Sequence, residues 1–180
     1  MTDTATFDFL TTRSGVQLRV HPAAATDERA LADFFTHVSP DDLRFRFLSG
    51  ADTVGHDQLV AMTQVDHGHT ESFLAYDSAT QMLVATAMLA CDRALHTGEV
   101  AIVVRSDYKN KGVGWALLGF VADFAETKGL HAIEAVESRE NHAALKVERD
   151  MGFTIETYPG DSTLSLVRRL LPAGIAAKRD

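Results

Sequence analysis

Several residue types that define other protein classes are scarce in this sequence. The chain has 180 residues, among them one cysteine, four prolines and one tryptophan. A single Cys91 excludes an internal disulfide, and its setting in MLACD is that of a small buried hydrophobic residue. Lysine and arginine number 17 against 25 aspartates and glutamates. This acidic balance argues against a general nucleic-acid binder, which needs a basic face to replace the counterions of phosphate.

Long apolar runs are absent as well. No stretch approaches the roughly 20 apolar residues that span a bilayer, and the start MTDTATFDF lacks the basic-then-apolar order of a signal peptide. We therefore expect a cytoplasmic protein that contacts neither membrane nor nucleic acid. Repeats and Pro/Gly/Ser linkers are also missing, while 46% of the residues are apolar. These features predict one domain over residues 1–180, with a core at about 15–169 and a frayed tail at 170–180.

Strand and helix patterns alternate along the first half of the chain. GVQLRV at residues 15–20 predicts a first strand, and Thr26 is positioned to cap the amphipathic helix that follows it. Ser39, with Pro40 and Asp42 after it, predicts the start of another helix. A short helix is expected at HDQLVAMT. ESFLAY and QMLVATAMLAC, separated by DSATQ, predict a hairpin.

The second half contains a strand, helix, strand unit at residues 99–136. Its first strand, from Glu99, is apolar at every position to Val104, which predicts a central strand covered on both faces. The apolar stripe of a helix follows from Val113 and ends at Gly129, and HAIEAV predicts a strand parallel to the first. A further helix and a closing hairpin complete an α/β (α+β) fold with a mixed central sheet of about seven strands and flanking helices.

A basic glycine turn connects that first strand to its helix. Residues 109–114, KNKGVG, stand where the free amides and the positive dipole end of a helix bind anions. Glycines let a phosphate approach the backbone, so the turn predicts a diphosphate site. The spacing departs from a P-loop, and Leu117 stands where the dinucleotide fingerprint needs a third glycine. Without further information, a tight turn with no ligand remains equally open.

The sequence resembles the GNAT family of acetyl-CoA-dependent N-acetyltransferases. Lys109, Gly112 and Gly114 match the family's cofactor turn, although Lys replaces the usual Gln or Arg. In the later helix Asn141 and Ala144 match the family, as do Gly152 and Phe153 at its end. A narrower likeness, carried by residues 14–48 and by GEVAIVVRSDYKNKGVG, is to the catalytic domain of bacterial Pat-type protein lysine acetyltransferases. The resemblance implies the GNAT fold and direct transfer of an acetyl group to a primary amine, with CoA as product.

Glu99 is the residue that the resemblance implies as general base. An amine must lose a proton before it attacks, and a lysine has a pKa of about 10.4. At the mouth of an apolar strand, a partly desolvated Glu99 could accept that proton directly or through a water. The alternative is a solvated strand-end glutamate. A backbone amide near Val103 or Val104 is implied as the oxyanion donor. The residues implied for the cofactor are Val103, Val104, Arg105, Lys109, Asn110, Lys111, Gly112, Val113, Gly114, Trp115, Asn141 and Ala144.

The general acid is left unassigned by the sequence. Where the family often has a tyrosine, this chain has Glu148, which we interpret as an exposed helix glutamate beside charged neighbours. Tyr108 and Tyr158 stay open as candidates. Asn141 is expected both to cap its helix and to bind the pantetheine arm. For Trp115, covering the cofactor phosphates and ordinary surface packing remain equal alternatives.

Three further expectations concern ligands and partners. The spacing of the histidines, with only His67 and His69 close together, predicts no metal site. The acceptor is expected to be a protein lysine, with a small amine such as a polyamine or an aminoglycoside, or a non-catalytic acyl-CoA sensor, as alternatives. The closing hairpin has an edge through which a homodimer could form. The sequence does not distinguish acetyl from longer acyl donors.

Overall fold

The computed structural model describes residues 7–48 and 53–173. Its strands are β1 (Asp8–Thr11), β2 (Gln17–Pro22), β3 (Thr70–Asp77), β4 (Leu83–Cys91), β5 (Thr97–Val104), β6 (Ala132–Ser138), β7 (Thr154–Thr157) and β8 (Leu164–Leu170). Its helices are α1 (Glu28–Phe35), α2 (Pro40–Phe47), α3 (His56–Thr63), α4 (Val113–Thr127) and α5 (His142–Asp150). No helix in these ranges is both long and apolar enough to cross a membrane.

The strands form one mixed sheet with the order β1-β2-β3-β4-β5-β6-β8-β7. β5 and β6 pair parallel, as the strand, helix, strand unit predicts, and the other neighbours pair antiparallel. The described chain thus has eight strands where about seven are predicted. The missed strand is β1, a four-residue edge strand that pairs only with β2. Its sequence, DFLT, is too short to show an alternating pattern.

Helices cover both faces of the sheet. On one face, α1, α2 and α3 contribute Leu31, Leu43 and Leu59, respectively, to a buried apolar cluster. On the other face, α4 buries Leu117 and Val121 against the sheet in a second, larger cluster. Burying one such aliphatic side chain contributes about 1.5–3 kcal/mol, so the two clusters hold the sheet between its helices. The apolar stripe predicted for α4 is confirmed.

The helix ends are set by local hydrogen bonds, and one predicted cap is wrong. The Ser39 hydroxyl accepts a hydrogen bond from the Asp42 amide at 3.2 Å, so the predicted start of α2 is confirmed. Thr26 does not cap α1. A 3₁₀ turn, Ala25–Asp27, precedes that helix, and Asp27 Oδ2 accepts from the Ala24 amide at 2.8 Å. Gly129 has a φ of +79°, as expected for the end of α4.

The limits of the folded core are wider than the sequence predicts. β1 begins at Asp8, ahead of the predicted start at residue 15. At the other end Leu170 belongs to β8, and Leu171 is fully buried because it packs in the larger apolar cluster. The predicted frayed tail is therefore wrong for these two residues, and the part of it at 174–180 lies outside the described residues.

Candidate active site

A cleft opens where the two parallel strands separate. β5 and β6 pair only at Thr97 with Ala132, Gly98 with Ile133 and Glu99 with Glu134. Beyond this register both strands continue, β5 along β4 and β6 along β8, but they no longer pair with each other. Backbone N–H and C=O groups on the gap side are thus free to pair with an extended ligand that contains amides.

The separation explains why β5 is less buried than its sequence predicts. Val100 and Val103 are buried, whereas Ala101, Ile102 and Val104 are partly exposed. All of them lie in the wall of the cleft. The prediction of a strand covered on both faces is therefore wrong for the cleft side, because an apolar strand can line a ligand site as well as a core.

Two concave sites of similar volume lie among the described residues, and their chemistry distinguishes them. One, of about 370 Å³, lies between α1 and the sheet and includes Asp33, His37 and Arg105. The other, of about 360 Å³, is the cleft, which combines a helix N-terminus with several carboxyl groups. A ligand-binding and catalytic site needs such convergent polar groups, so we take the cleft as the candidate active site.

The glycine turn forms one end of the cleft. Gly112 has a φ of +77°, and a Cβ there would lie 3.4 Å from the backbone N of Arg13. Both facts favour glycine. The first α4 bond that closes over this turn runs from the Ala116 amide to the Gly112 carbonyl, at 3.0 Å. The amides of the first turn before Ala116 are consequently available to an anion at the positive end of the helix dipole.

Cations surround this end of the cleft, but they already have partners. Lys109 Nζ donates to Asp42 Oδ1 from the first turn of α2. The guanidinium of Arg13 lies 3.7 Å from the centroid of the Trp115 ring. Sequence reasoning missed Arg13, because the loop between β1 and β2 is brought beside the glycine turn only by the fold. Trp115 therefore packs against a cation and also lines the cleft.

Most of the predicted site residues lie together, and two do not. Those that line the cleft are Glu99, Val103, Val104, Lys109, Asn110, Gly112, Val113, Gly114, Trp115, Asn141 and Ala144. Arg105 lines the other concave site, and its Nε donates to Asp107 Oδ1 at 2.8 Å. Lys111 places its Nζ 4.4 Å from the centroid of the Tyr108 ring. Neither residue is part of the cleft lining.

Glu99 lies at the last register at which β5 and β6 pair, at the mouth of the cleft. It is exposed, so the expected partial desolvation is not found. Arg46 of α2 is close by. Burial lowers the pKa of the Arg46 guanidinium below its ordinary value, and the negative charges of Glu99 and Glu137 oppose that shift. This part of the cleft therefore carries one arginine near two glutamates.

Glu148 is buried, which corrects its interpretation as an exposed helix glutamate. Only 5% of the residue is exposed, and its Oε2 has no hydrogen-bond partner. Burial, together with the charge of Glu137 and a hydrogen bond to it, raises the pKa of Glu148 to about 9. Charged neighbours in the helix sequence suggested a solvated face, but this position turns inward, where its carboxyl group meets Glu137 of β6.

Glu137 of β6 forms the second half of this carboxyl pair. Burial raises its pKa to about 7, and hydrogen bonds to Asn141 and Glu148 together with the charge of Arg46 limit the rise. Oε2 of Glu137 accepts from Asn141 Nδ2 at 2.9 Å. No feature of the sequence indicated Glu137, because ESRE reads as a polar strand end.

Asn141 and Tyr108 both have partners within the protein. The Asn141 side chain accepts from the Ala144 amide at 3.3 Å, which confirms that it caps α5. The Tyr108 hydroxyl donates to Asp77 Oδ2 at 2.6 Å, so its proton is directed away from the cleft. Tyr158 follows β7 and does not line the cleft.

Comparisons with known proteins agree with this geometry. Residues 33–153 match the Acetyltransferase (GNAT) family. A Pseudomonas aeruginosa protein named as an acetyltransferase is 24% identical over 159 residues, which cover 87% of this chain and 84% of that protein. The chain also superposes on the crystal structure of the GNAT domain of S. lividans PAT, with a TM-score of 0.84, 21% identity and coverage of 92% of this chain and 97% of that chain.

A second solved structure is similar at lower identity. Spermidine N-acetyltransferase from Vibrio cholerae, in complex with CoA and spermine, has a TM-score of 0.71 and 16% identity, and the match covers 88% of this chain and 98% of that chain. At these identities the two structural likenesses show a shared fold, and the match to the family covers most of the chain.

Proposed function

The chain belongs to the GNAT family of acetyltransferases, and on that premise we propose that its acceptor is a lysine side chain of a protein, with Glu99 as general base. The coarser activity follows from the family: an N-acetyltransferase that uses acetyl-CoA and an amine. The observation that carries the finer proposal is the exposed position of Glu99 at an open cleft mouth. A long lysine side chain can reach such a carboxylate from a bulky protein surface.

Acetyl-CoA is assigned to the cleft by the chemistry of its walls. The diphosphate takes the free amides at the start of α4, where Lys109 can exchange Asp42 for a phosphate. The pantetheine arm, which contains two amides, runs along the open edge of β5. Its thioester then lies between the diverging strands, where a backbone N–H near Val103 or Val104 stabilises the oxyanion. Asn141 contributes to the binding of the arm.

The acetyl transfer begins with the removal of a proton from the acceptor. The lysine ammonium must become an amine, and Glu99 accepts this proton directly or through one water. The amine nitrogen then attacks the carbonyl carbon of the thioester. A tetrahedral intermediate forms, its oxygen carries the negative charge, and the backbone amide donates to that oxygen in a site from which the bound coenzyme excludes water.

A small-molecule amine is the second candidate acceptor. The Vibrio cholerae enzyme that shares the fold is named for spermidine and holds spermine. In this chain the cleft is lined by Glu99, Glu137 and Glu148, and the net charge is −8, which suits any cationic acceptor. Charge alone therefore does not separate a polyamine from a protein lysine.

We also propose a single-domain, cytoplasmic protein without a metal, and a homodimer that forms at the edge strand β7. β7 pairs with β8 on one side and is the last strand of the sheet on the other. An edge strand with unpaired backbone groups can pair with the same strand of a second copy. Analytical ultracentrifugation of the purified protein measures the oligomeric state directly. A monomer at all concentrations would contradict the proposed dimer.

The test of the acceptor is mass spectrometry of a bacterial lysate that is incubated with acetyl-CoA and the protein. We expect new lysine acetylation on a small set of proteins. Glu99→Gln should reduce it by about 10²- to 10⁴-fold, the contribution of a general base. Glu126→Gln, at an exposed position of α4, is the matched control and should leave it unchanged.

Two other outcomes decide between the alternatives. If no protein is modified above a control without enzyme, the protein-lysine proposal fails, and polyamines and aminoglycosides are assayed next. If Glu99→Gln leaves transfer unchanged while the protein still binds acetyl-CoA, Glu99 is a solvated strand-end glutamate and not the base.

A further inference from the structure

The cleft contains a pair of carboxyl groups, Glu148 buried and Glu137 partly buried, that the proposed reaction has not used. Glu137 comes from β6 and Glu148 from α5, and both line the cleft. Neither forms an ion pair with a lysine, arginine or histidine of the described chain. Two carboxylates without a bound cation repel each other strongly in a desolvated site, so the pair retains a proton.

The surroundings of the two groups decide which one carries the proton. Glu137 has groups that favour its charge, namely the Asn141 amide that donates to it and the positive charge of Arg46. Glu148 has none, and its Oε2 has no partner. A hydrogen bond between two carboxyl groups needs one of them to be protonated. Glu148 is therefore the neutral acid that donates to the Glu137 carboxylate.

Other charged groups do not change this assignment. On its own helix, Lys146 and Asp150 pair with each other at 2.5 Å and stay exposed to solvent. From α2, Arg46 acts on Glu137, and from β5, Glu99 acts on Arg46. In the described chain, no titratable group of α4 or β7, which also pack against α5, contributes to the raised pKa of Glu148.

A purely structural role does not account for the pair. Replacing buried ionisable groups by apolar residues of similar size is often neutral or stabilising, so holding α5 against its neighbours α4 and β7 does not require carboxyl groups. The partnerless oxygen of Glu148 is more than nine-tenths buried and belongs to a residue in the wall of the coenzyme cleft. Such an atom is expected to meet a polar partner when the cleft is filled.

We propose that Glu148 is the catalytic acid that protonates the sulfur of the departing coenzyme, and that Glu137 is the positioning residue that keeps Glu148 protonated. This inference rests on the acetyltransferase activity proposed for the same cleft. The bond between amine nitrogen and carbonyl carbon forms, and the bond between carbon and sulfur breaks. Sulfur keeps the electron pair of the broken bond and takes the proton of Glu148. The nitrogen loses two protons in turn, one as the ammonium before attack and one from the tetrahedral intermediate, and Glu99 accepts each and passes it to solvent. Solvent then returns a proton to Glu148.

The departing thiol of the coenzyme and Glu148 have similar pKa values. A thiol has a pKa of about 8.5, and the pKa of Glu148 is raised to about 9. A proton transfer between groups of similar acidity has a small barrier, which is the condition for efficient acid catalysis. An ordinary solvent-exposed glutamate would be ionised at neutral pH and could not donate. Tyr108 is not an alternative, because its hydroxyl already donates to Asp77.

The first arm of the test needs no acceptor. Protein labelled with ¹³C at the glutamate carboxyl carbons is titrated by NMR as the native chain, Glu148→Gln and Glu137→Gln. We expect one native carboxyl that titrates near pH 9 and is missing in Glu148→Gln. In Glu137→Gln it should titrate at lower pH, because the neighbouring negative charge is gone. If every native carboxyl titrates below about pH 6, there is no shared proton and the proposal is overturned.

The second arm measures transfer in a single turnover with acetyl-CoA and either poly-L-lysine or spermine. Glu148→Gln should slow transfer by about 10²-fold, leave acetyl-CoA affinity unchanged and abolish the fall in rate above pH 9. Glu137→Gln should keep that fall but move it to lower pH, which a merely structural residue would not do. Glu126→Gln is again the control.

The outcomes separate this proposal from the choice of acceptor. If spermine is acetylated and poly-L-lysine is not, the lysine proposal fails and the acid is still measured with spermine. If neither amine reacts, hydrolysis of acetyl-CoA reports the same cleavage of the bond between carbon and sulfur. A Glu148→Gln variant that cleaves this bond at the native rate, while Glu99→Gln does not, would overturn the role of Glu148 and leave the acetyltransferase function intact.

Discussion

The two walls of the cleft are built on different principles. The β5 and α4 wall offers main-chain amides and the turn at residues 109–114, so its chemistry comes from backbone geometry. The β6 and α5 wall offers the side chains of Glu137 and Glu148, whose charge depends on how deeply they are buried. Backbone sites are local and persist in any fold that forms the same turn, whereas the charge of a carboxyl group is a property of its whole surroundings.

Two buried carboxyl groups make this contrast quantitative. Asp77, behind the first wall, is 7% exposed, and Glu148, in the second, is 5% exposed. The pKa of Asp77 is nonetheless lowered, because the Tyr108 hydroxyl and backbone amides donate to it and its shallow position limits the opposing effect of burial. The pKa of Glu148 is raised, because it lies deeper, receives no donor and faces Glu137. Two carboxyl groups with a similar loss of solvent contact thus have pKa values shifted in opposite directions. The available hydrogen-bond donors and the depth of burial decide the direction.

The largest expected effect tests whether the first wall binds through its backbone. A Cβ at Gly114 would meet only Val104 Cγ2, at 3.7 Å, so Gly114→Ala should fold normally. The added methyl would nevertheless keep a phosphate from the amides. We expect acetyl-CoA affinity to fall about 100-fold, or ~2.7 kcal/mol, by calorimetry. Gly119→Ala, in the same helix with a nearest contact of 3.8 Å to Met151, is the control. Equal affinities in both variants would contradict a backbone site.

The next effect concerns the stability of the second wall. Because the folded pKa of Glu148 is raised, the stability it contributes is present below pH 4.5, its ordinary value, and is lost as pH rises through about 9. Glu148→Gln removes this loss and should raise the free energy of unfolding at pH 8 by about 2 kcal/mol. Urea unfolding from pH 4 to 9 measures it. A variant less stable than the native chain at pH 8 would show that the charged form is favoured.

A smaller effect is expected behind the first wall, with the opposite dependence on pH. Tyr108→Phe removes the donor to Asp77 and should cost about 1–2 kcal/mol at pH 7. The folded pKa of Asp77 is lowered, so its stabilisation is present above its ordinary value of 3.8 and is lost as pH falls through the folded value. The cost should therefore shrink in acid. A cost that is the same at pH 7 and pH 2 would indicate lost packing alone.

The smallest effect probes the side chains of the first wall. Lys109 pairs with Asp42 before any coenzyme binds, so Asp42→Asn frees a cation for the phosphates. We expect a two- to threefold gain in acetyl-CoA affinity, about 0.5 kcal/mol, which disappears at 1 M salt because exposed charges are screened. Asp41→Asn, beside it in the same helical turn and paired with Arg44, is the control and should change nothing.

Sequence patterns predicted the internal strands and helices of this protein better than the two ends of its folded core. The strand, helix, strand unit at residues 99–136, the cap at Ser39 and the closing hairpin were all readable, because each depends on periodicity or on a few adjacent residues. β1 and the buried end at Leu171 were missed, because short edge strands and chain ends acquire their order from contacts with distant residues.

The sequence by itself determined two things: the glycine turn, and the family to which the protein belongs. A left-handed Gly112 followed by a helix start creates an anion site wherever it occurs, since φ and the free amides are local. What only the tertiary structure decided is the chemistry of the other wall. Glu137 and Glu148 read as ordinary polar residues until the fold brings α5 to the end of β6 and places the two side chains together in the cleft wall, with Glu148 buried and Glu137 partly buried. Their shared proton exists because desolvation and mutual repulsion act through space and not along the chain.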